Sequence, residues 1–263
     1  MKFYKYCGTG NDFILLDCRE RTVSDAATLA KRLCDRHFGI GADGLMLVER
    51  PMQGGDCKMQ FYNNDGSTAE MCGNGARCIS KFCHDFGLSG QTQRIETPAG
   101  MVIGTRIDED HYQVRLNSPE HIRLQTIAAG VTCDYMELGD PGIPHAVIVT
   151  DLKQDREKLK HLAQSVRFAP EFPRGANVNL CCLTGENEVR LLTYERGVED
   201  FTLACGTGNG ATAAALTLRG LVGGRGVKLR NEGGTLEVDI ISGTPIGIAL
   251  TGEAKLVFTG ETE

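Results

Sequence analysis

The chain has 263 residues, of which 41% are hydrophobic and 24% are charged, and its formal net charge is −6. This length can form one large or two ordinary domains, and the charges include no basic stripe that could neutralise nucleic-acid phosphates. Because the sequence lacks a long apolar run and an apolar leader at its start, we expect a cytoplasmic protein that does not span a membrane.

The first predicted helix begins at Ser24, which is a suitable N-cap, and ends near Arg36. Its apolar residues recur at helical spacing, at Ala26, Leu29, Ala30 and Leu33. The segment 39–44 that follows has a formal G-x-G-x-x-G pattern. In dinucleotide-binding proteins this pattern follows a strand and opens a helix, whereas here it follows a helix and precedes the strand-like segment 45–48. A nucleotide-binding oxidoreductase is therefore rejected.

A second helix is predicted from Gly75 to about Phe86, shortly after Cys72, with Gly87 as its stop residue. Ser118-Pro119 then interrupts a strand, so we place a domain boundary there. The expected domains are 1–118 and 119–263.

The second half repeats this order of elements. A helix is predicted on the apolar positions Leu159, Leu162, Ala163 and Val166, and another is predicted from Gly208 to Arg219 with Gly220 as its stop residue. The two halves align at offsets of 133 or 134 residues: 8–17 with 142–151, 41–43 with 175–177, and Cys72 with Cys205. Such a repeat indicates an internal duplication. Strand-rich halves with isolated helices predict two similar α+β domains rather than a parallel βαβ sheet.

The eleven cysteines include no C-x-x-C pair, so we expect neither a disulfide framework nor a metal site, and most of them should be small apolar core residues. Cys72 and Cys205 differ because each stands at the start of a helix beside glycines. Unpaired backbone N–H groups and the helix dipole attract anions there and lower the pKa of a thiol. Two such loops predict a ligand held by two helix N-termini.

This arrangement suits an amino-acid racemase or epimerase. Removal of an α-proton moves negative charge onto the substrate carboxylate, which N–H groups stabilise. Inversion requires a base on one face of the carbon and an acid on the other, and two thiols can supply both without a cofactor.

The motifs resemble those of the diaminopimelate epimerase family over nearly the whole chain. The matching segments are GTGNDF (8–13), FGIGAD (38–43), NNDGS (63–67), MCGNGARC (71–78), ETPAG (96–100), GANVN (175–179), YERGVED (194–200) and ACGTG (204–208). The resemblance implies two domains, each with a barrel-like, mostly antiparallel sheet around a central helix. It also implies cofactor-free interconversion of LL- and meso-2,6-diaminoheptanedioate, in lysine and peptidoglycan precursor synthesis, by a homodimer.

Family roles carry over to matching positions. Cys72 and Cys205 correspond to the acid/base pair. The positions that correspond to substrate-binding residues are Asn11, Asn63, Gly73, Asn74, Asn177, Glu195, Arg196, Gly206 and Thr207. His145 corresponds to a histidine near the reacting centre, although a structural role is an alternative. Glu195 and Arg196 could instead form a surface ion pair.

Two positions depart from the family pattern: Gly44 replaces a glutamine of many members, and Ile143 replaces an asparagine. A related two-thiol racemase of another amino acid therefore stays open. A proline racemase would be expected to have histidine at the position of Asn74, and a phenazine-type isomerase would lack the cysteine pair. A non-enzymatic protein that binds an amino acid, or a metal through Cys72, Cys78 and Cys83, is the remaining alternative.

The sequence leaves open which of the two thiols is ionised at rest. A disulfide between Cys72 and Cys205 is a further hypothesis.

Overall fold

The fold is described from a computed structural model over residues 1–69, 72–139 and 142–262. The chain divides into two compact units, residues 1–114 with 252–263, and residues 115–251. Within the described ranges, each helix is too short or too polar to cross a lipid bilayer.

The first unit is a sheet of mostly antiparallel strands with two helices. Its strands are β1 (Lys2–Gly8), β2 (Asn11–Asp17), β3 (Gly44–Glu49), β4 (Cys57–Asn63), β5 (Thr68–Ala69), β6 (Thr92–Thr97), β7 (Gly100–Arg106), most of β8 (His111–Leu116) and β18 (Lys255–Glu261), and its helices are α1 (Ala26–Cys34) and α2 (Gly73–Asp85). The strand order is β18-β1-β2-β3-β4-β6-β7-β8, with β5 beside β4. The pairs β2/β3 and β4/β6 are parallel.

The second unit has the same construction. Its strands are β9 (Pro119–Ala128), β10 (Val131–Gly139), β11 (Gly142–Val149), β12 (Asn177–Gly185), β13 (Glu188–Glu195), β14 (Asp200–Thr202), β15 (Val227–Asn231), β16 (Gly234–Ile241) and most of β17 (Gly247–Glu253), and its helices are α3 (Arg156–Arg167) and α4 (Gly206–Leu218). The order is β9-β10-β11-β12-β13-β15-β16-β17, with β14 beside β13. The pairs β11/β12 and β13/β15 are parallel.

The equal strand orders confirm the predicted α+β class and the internal duplication. They also correct the expected domains of 1–118 and 119–263. Strand β18 belongs to the first unit because it pairs with β1, from Lys2 opposite Glu261 onward, just as β9 pairs with β10 in the second. A boundary at residue 118 separates β18 from the sheet that it completes.

The sheet of each unit is mostly antiparallel, as predicted, but it includes one parallel βαβ connection. Helix α1 links the parallel strands β2 and β3, and α3 links β11 and β12. The formal G-x-G-x-x-G segment lies between α1 and β3, as predicted, so it follows a helix and leads into a strand.

Helices α1 and α3 each bury one apolar face. The predicted face of α1 is buried at Ala26, Leu29, Ala30 and Leu33, and that of α3 is buried at Leu159, Ala163 and Val166. The predicted N-cap Ser24 is wrong: the side chain of Asp25 accepts a hydrogen bond from Thr28 N at 3.0 Å. A carboxylate one residue later satisfies the free N–H group and also matches the helix dipole.

Helices α2 and α4 are surrounded by their sheets. Every residue from Gly73 to Cys83 of α2 is buried, and so is nearly every residue of α4 up to Leu216. Both helices begin two residues before the predicted starts, Gly75 and Gly208. They end at the predicted glycines, since Gly87 and Gly220 adopt φ of 67° and 68°.

Candidate active site

Each cysteine of the predicted pair is the N-cap of a central helix. Cys72 precedes α2 and Cys205 precedes α4, both in an extended backbone conformation. Cys72 is half-buried and Cys205 is buried, 8% exposed. An N-cap side chain lies beside the free N–H groups of the first helical turn, so each thiol is placed where negative charge is favoured.

In the first unit, the thiol of Cys72 meets a hydrogen-bond acceptor. Its Sγ donates to Oδ1 of Asn11 at 3.8 Å, and Nδ2 of Asn74 donates to the same oxygen at 3.3 Å. The orientation of the Asn11 amide is fixed because its Nδ2 donates to a carboxylate oxygen of Asp43 at 2.5 Å. An oxygen facing Sγ favours the protonated thiol.

Asp43 is itself held by charged neighbours. Arg36 contacts Asp43 at 2.8 Å and Asp12 at 2.7 Å, and Lys5 contacts Asp12 at 2.7 Å. Burial raises the pKa of Asp12, but hydrogen bonds from Arg36 and Lys5 outweigh it and lower the pKa to about 2. Asp12 is therefore ionised at neutral pH, and Arg36 joins it to Asp43, the residue that holds the Asn11 amide.

The other predicted residues of this unit lie on the same segments. Gly73 and Asn74 form the first turn of α2, and Asn74 is 3% exposed. Asn63 ends β4, where its Nδ2 donates to Ser67 Oγ at 2.9 Å. The next residue, Asn64, donates its backbone N–H to the carbonyl of Asp43, which ties this turn to the support of Asn11.

In the second unit, the thiol of Cys205 accepts a hydrogen bond from the backbone. The backbone N–H of Gly208 donates to its Sγ at 3.4 Å, and the hydroxyl of Thr207 lies at 3.4 Å from it. Gly206 and Thr207, two residues predicted to bind substrate, form the first turn of α4. A backbone donor that points at sulfur favours the thiolate, so the Cys72–Asn11 and Gly208–Cys205 hydrogen bonds have opposite polarity at sulfur.

Gly208 allows α4 to approach β12 and β13 closely. A Cβ at this position would lie 2.4 Å from Oδ1 of Asn179 and 3.1 Å from Oγ1 of Thr193. Asn179 cannot move freely, because Thr193 donates to its Oδ1 at 3.0 Å and its Nδ2 donates to Ala146 O at 3.4 Å. The same Nδ2 lies 3.2 Å from Nδ1 of His145.

His145 is fully buried and neutral. Burial, followed by the nearby charge of Arg196, lowers its pKa to about 3. Because the Asn179 amide nitrogen can only donate, Nδ1 of His145 accepts and the ring proton is on Nε2. Within the described part of the chain, Nε2 has no hydrogen-bond partner. His145 therefore offers a neutral N–H donor.

Asn177, Glu195 and Arg196 come together where β12 begins and β13 ends. Asn177 donates to Pro144 O at 3.3 Å and accepts from the backbone N–H of Arg196 at 2.8 Å. The guanidinium of Arg196 donates to Arg174 O at 3.0 Å, and no carboxylate of residues 1–69, 72–139 or 142–262 forms an ion pair with it. The alternative of a Glu195–Arg196 ion pair is therefore wrong, and the charge of Arg196 is available to an anion.

The two departures from the family pattern have different surroundings. A Cβ on Gly44 would lie 2.3 Å from Cε2 of Phe61, so the phenyl ring occupies the space of a side chain there. Ile143 on β11 is 37% exposed and precedes the buried Pro144-His145 pair.

The cysteines of the alternative metal site do not share one environment. Cys78 is fully buried, and Sγ of Cys83 lies 3.1 Å from Sγ of Cys57 rather than near Cys72. In the ranges that the structure describes, no three His, Cys, Asp or Glu side chains are placed to hold a metal ion.

Sequence reasoning missed Asp43, Asn179 and Arg77 as supporting residues. All three lie within segments that were singled out, GIGAD, GANVN and MCGNGARC. Their polar side chains were the available signal, but only the packing of α2 and α4 shows that Arg77 and Asn179 are fully buried.

Comparison with known proteins supports one family. The family model for diaminopimelate epimerase matches residues 3–122 and 139–257. Relatives named diaminopimelate epimerase include one from Aquifex aeolicus, 37% identical over 99% of this chain and 97% of its own, and one from Archaeoglobus fulgidus, 35% identical over 98% and 95%. One from Flavobacterium psychrophilum is 36% identical over 98% of both chains.

Solved structures share the fold at low sequence identity. A probable proline racemase from Agrobacterium radiobacter K84 has a TM-score of 0.67 at 17% identity, over 100% of this chain and 92% of its own. A putative phenazine biosynthesis PhzC/PhzF protein from Clostridium difficile has a TM-score of 0.70 at 12% identity, over 100% and 99%. At these identities the similarity concerns the fold alone.

Proposed function

Because this chain belongs to the diaminopimelate epimerase family, and is thus an isomerase, we propose that it epimerises LL-2,6-diaminoheptanedioate to the meso form with two cysteines. The observation that carries this proposal is the opposite hydrogen-bond polarity of Cys72 and Cys205. One thiol donates to an amide oxygen, and the other accepts from a backbone N–H. A two-base reaction needs one acid and one base at the start.

At rest, Cys205 is the thiolate and Cys72 is the thiol. The thiolate of Cys205 takes the α-proton, and the electron pair of the broken C–H bond moves into the substrate carboxylate. The thiol of Cys72 then gives its proton to the opposite face of the carbon. The configuration is inverted, no atom is gained or lost, and the two cysteines have exchanged protonation states.

The negative charge on the carboxylate needs donors that gain strength as the charge develops. The first turns of α2 and α4, at Gly73-Asn74 and Gly206-Thr207, place backbone N–H groups at the helix N-termini. In this proposal both helix N-termini act on the substrate carboxylate, so that this step needs no cofactor.

The distal amino-acid end of the substrate has its own partners in this proposal. Arg196 would bind the distal carboxylate, since a guanidinium matches its geometry. Glu195, with the amide oxygens of Asn63 and Asn177, would bind the distal ammonium. Neutral His145 would donate from Nε2 and take no proton at neutral pH, because its pKa is about 3.

We further propose a cytoplasmic homodimer that supplies precursors of lysine and peptidoglycan. Support for self-association comes from adjacent exposed apolar residues on β18, Leu256, Val257 and Phe258, which are 40–56% exposed. Exposed apolar side chains on an outer strand are available for contacts with another protein chain. Light scattering of purified protein would test this, and a monomer over the micromolar range would contradict it.

The first test is incubation with LL-diaminopimelate in D₂O under reducing conditions. We expect one deuterium at one α-carbon and meso product. Cys72→Ser and Cys205→Ser should each lower turnover by about 10²–10⁴-fold with little change in Tm. Cys182→Ser is the control, since that half-buried thiol lies outside both loops.

Deuterium exchange into a different amino acid only, with the same dependence on both thiols, would contradict the proposed substrate. It would favour the alternative of a related racemase that acts on that amino acid. Normal turnover of either active-site variant would contradict the mechanism. The roles at rest are tested separately: with limiting iodoacetamide near neutral pH, Cys205 should be alkylated before Cys72, and the reverse order would refute the assignment.

A further inference from the structure

Arg77 is a fully buried cation in the second turn of α2. Its side chain is 0% exposed, and NH2 donates to Thr9 Oγ1 at 3.1 Å and to Asn74 Oδ1 at 3.0 Å. NH1 donates to Gly73 O at 3.3 Å. All three acceptors are neutral. Across residues 1–69, 72–139 and 142–262, no carboxylate forms an ion pair with the guanidinium.

This position is unfavourable for a cation in two respects. Burial of an unpaired charge is costly, and burial accordingly lowers the pKa of Arg77. In addition, helical side chains lean toward the N-terminus, and the bond to Gly73 O places the guanidinium over the first turn of α2. That end of the helix already has positive polarity. An anion at the N-terminus of α2 would relieve both costs.

Apart from the bound substrate, the thiols near Arg77 are the groups that could supply this anion. The groups whose negative charge would raise its pKa are Cys78, Cys72 and Cys7. Burial raises the pKa of Cys78 and of Cys7, so both stay neutral thiols at physiological pH. Cys72 is left as the thiol whose ionised form can neutralise the buried charge.

The second unit has no counterpart of this charge. The position equivalent to Arg77, 133 residues later, is Gly210. A Cβ there would lie 2.7 Å from Leu116 Cδ1, so an arginine would not fit. The neighbouring Asn209 donates to Cys205 O at 2.7 Å and bonds the amide of Asn231. The groups that Asn209 bonds at the N-terminus of α4 are neutral.

We propose that Arg77 is a positioning residue, whose buried charge stabilises the thiolate that Cys72 becomes when it delivers its proton to the substrate. This inference rests on the proposed function. Asn11 favours Cys72 as the thiol and Arg77 favours it as the thiolate, so together they bring the two forms close in energy. A proton donor works best when its acidity is matched to the operating pH. Through Asn74, the same guanidinium also fixes the first turn of α2.

The test compares a neutral and a charged replacement. Alkylation of Cys72 by iodoacetamide is followed from about pH 5 to 10 by peptide mass spectrometry, and the midpoint of the pH profile is measured. Arg77→Met should move the midpoint upward by about one unit or more, which slows alkylation about tenfold at a pH below both midpoints. Arg77→Lys keeps the charge and should move it less than half as far.

Lys81→Met is the matched control. It removes a cation one turn further along α2, where Asp85 and Asp110 already neutralise it at 3.4 and 3.7 Å. Its midpoint should equal that of the unaltered protein. A folded Arg77→Met protein with an unshifted midpoint would overturn the proposal, and so would an equal shift in Lys81→Met.

A second measurement needs no Arg77 variant to fold. In a Cys205→Ser background, Cys72 is modified with iodoacetate or iodoacetamide, which leave groups of similar size but different charge. The negative adduct should give the higher Tm. This difference should exceed that of the same two adducts on Cys205 in a Cys72→Ser background, because Gly210 stands at the position equivalent to Arg77 there. Equal differences would overturn the proposal.

Neither measurement requires turnover, so the two proposals fail separately. Absence of deuterium exchange in the unaltered protein, with the Arg77-dependent shift intact, would refute the proposed function and keep the electrostatic role. Normal exchange without the shift would refute the role of Arg77 alone.

Discussion

The duplicated glycines of the two helix starts allow a matched test of packing. Gly75 and Gly208 occupy equivalent positions in α2 and α4, 133 residues apart. A methyl group on Gly208 would lie 2.4 Å from Oδ1 of Asn179, whereas one on Gly75 would lie 2.1 Å from the terminal methyl of Met46. The Met46 methyl can rotate away, because methionine is flexible. The Asn179 amide is held by hydrogen bonds and cannot.

The expected costs follow from these neighbours. Replacing a helical glycine by alanine stabilises by about 0.5–1 kcal/mol, which should offset the displacement of Met46. In Gly208→Ala, Asn179 must give up its bonds to Thr193 and Ala146, at about 0.5–1.5 kcal/mol each, and leave buried polar atoms unpaired. We expect a net loss of about 2 kcal/mol for Gly208→Ala and a change near zero for Gly75→Ala.

Urea unfolding and calorimetry in reducing buffer measure both quantities. A loss of about 2 kcal/mol corresponds to a fall in Tm of roughly 4–8 °C. In an Asn179→Ala background the added cost of Gly208→Ala should largely disappear, because the obstacle is gone. Equal stability of Gly75→Ala and Gly208→Ala, or full additivity in the double variant, would refute this reasoning.

Three further outcomes are expected. The pKa of His145 is about 3 when folded and about 6.5 when unfolded, so the unfolded state binds the additional proton between these values and stability falls as the pH drops. Between pH 7 and pH 5, this proton binding lowers the free energy of unfolding by about 2 kcal/mol. The urea midpoint of His145→Gln should therefore depend less on pH than that of the unaltered protein. An unchanged pH dependence would contradict the buried neutral ring. Asp12→Asn removes the carboxylate that pairs with Lys5, whose side chain is 7% exposed. We expect the free energy of unfolding in urea to fall by about 3 kcal/mol, because the lysine is left buried without its partner. A loss below about 1 kcal/mol would contradict a buried pair. Gly220→Ala places a Cβ at a residue with φ of 68° and should lower the free energy of unfolding by about 1 kcal/mol. Gly90→Ala, where the added Cβ has free space and φ is not positive, should leave stability unchanged. Equal effects of the two substitutions would show that the loss does not come from backbone conformation.

Local patterns in the sequence predicted much of the fold. The apolar faces of α1 and α3, the stop glycines Gly87 and Gly220, and the duplication all follow from spacing along the chain. Helix starts were less accurate, because Gly73 and Gly206 have a low intrinsic helix propensity and are held helical by burial within the sheet. Tertiary packing, which spacing does not record, decides such positions.

The candidate site shows the same division. Motifs predicted Cys72 and Cys205 together with the residues around them. The direction of their hydrogen bonds depends on contacts with Asn11 and Gly208, which the motifs alone do not predict because they arise from three-dimensional packing. The burial of Arg77 without a carboxylate partner among the described residues was also not predictable from the sequence, since a cationic side chain in a helix is ordinarily expected at the surface.

The pairing of β18 with β1 has a consequence for synthesis on the ribosome. The backbone carbonyl of Thr262 bonds the amino group of Met1, across 261 positions of the chain. The sheet of the first unit therefore lacks β18 until residues 255–261 have been translated, whereas residues 115–251 of the second unit are made before that strand. Contacts between distant segments form slowly. The half of the molecule that is made first is thus the half that finishes folding last, and until then β1 is an exposed edge that chaperones or other nascent chains can reach.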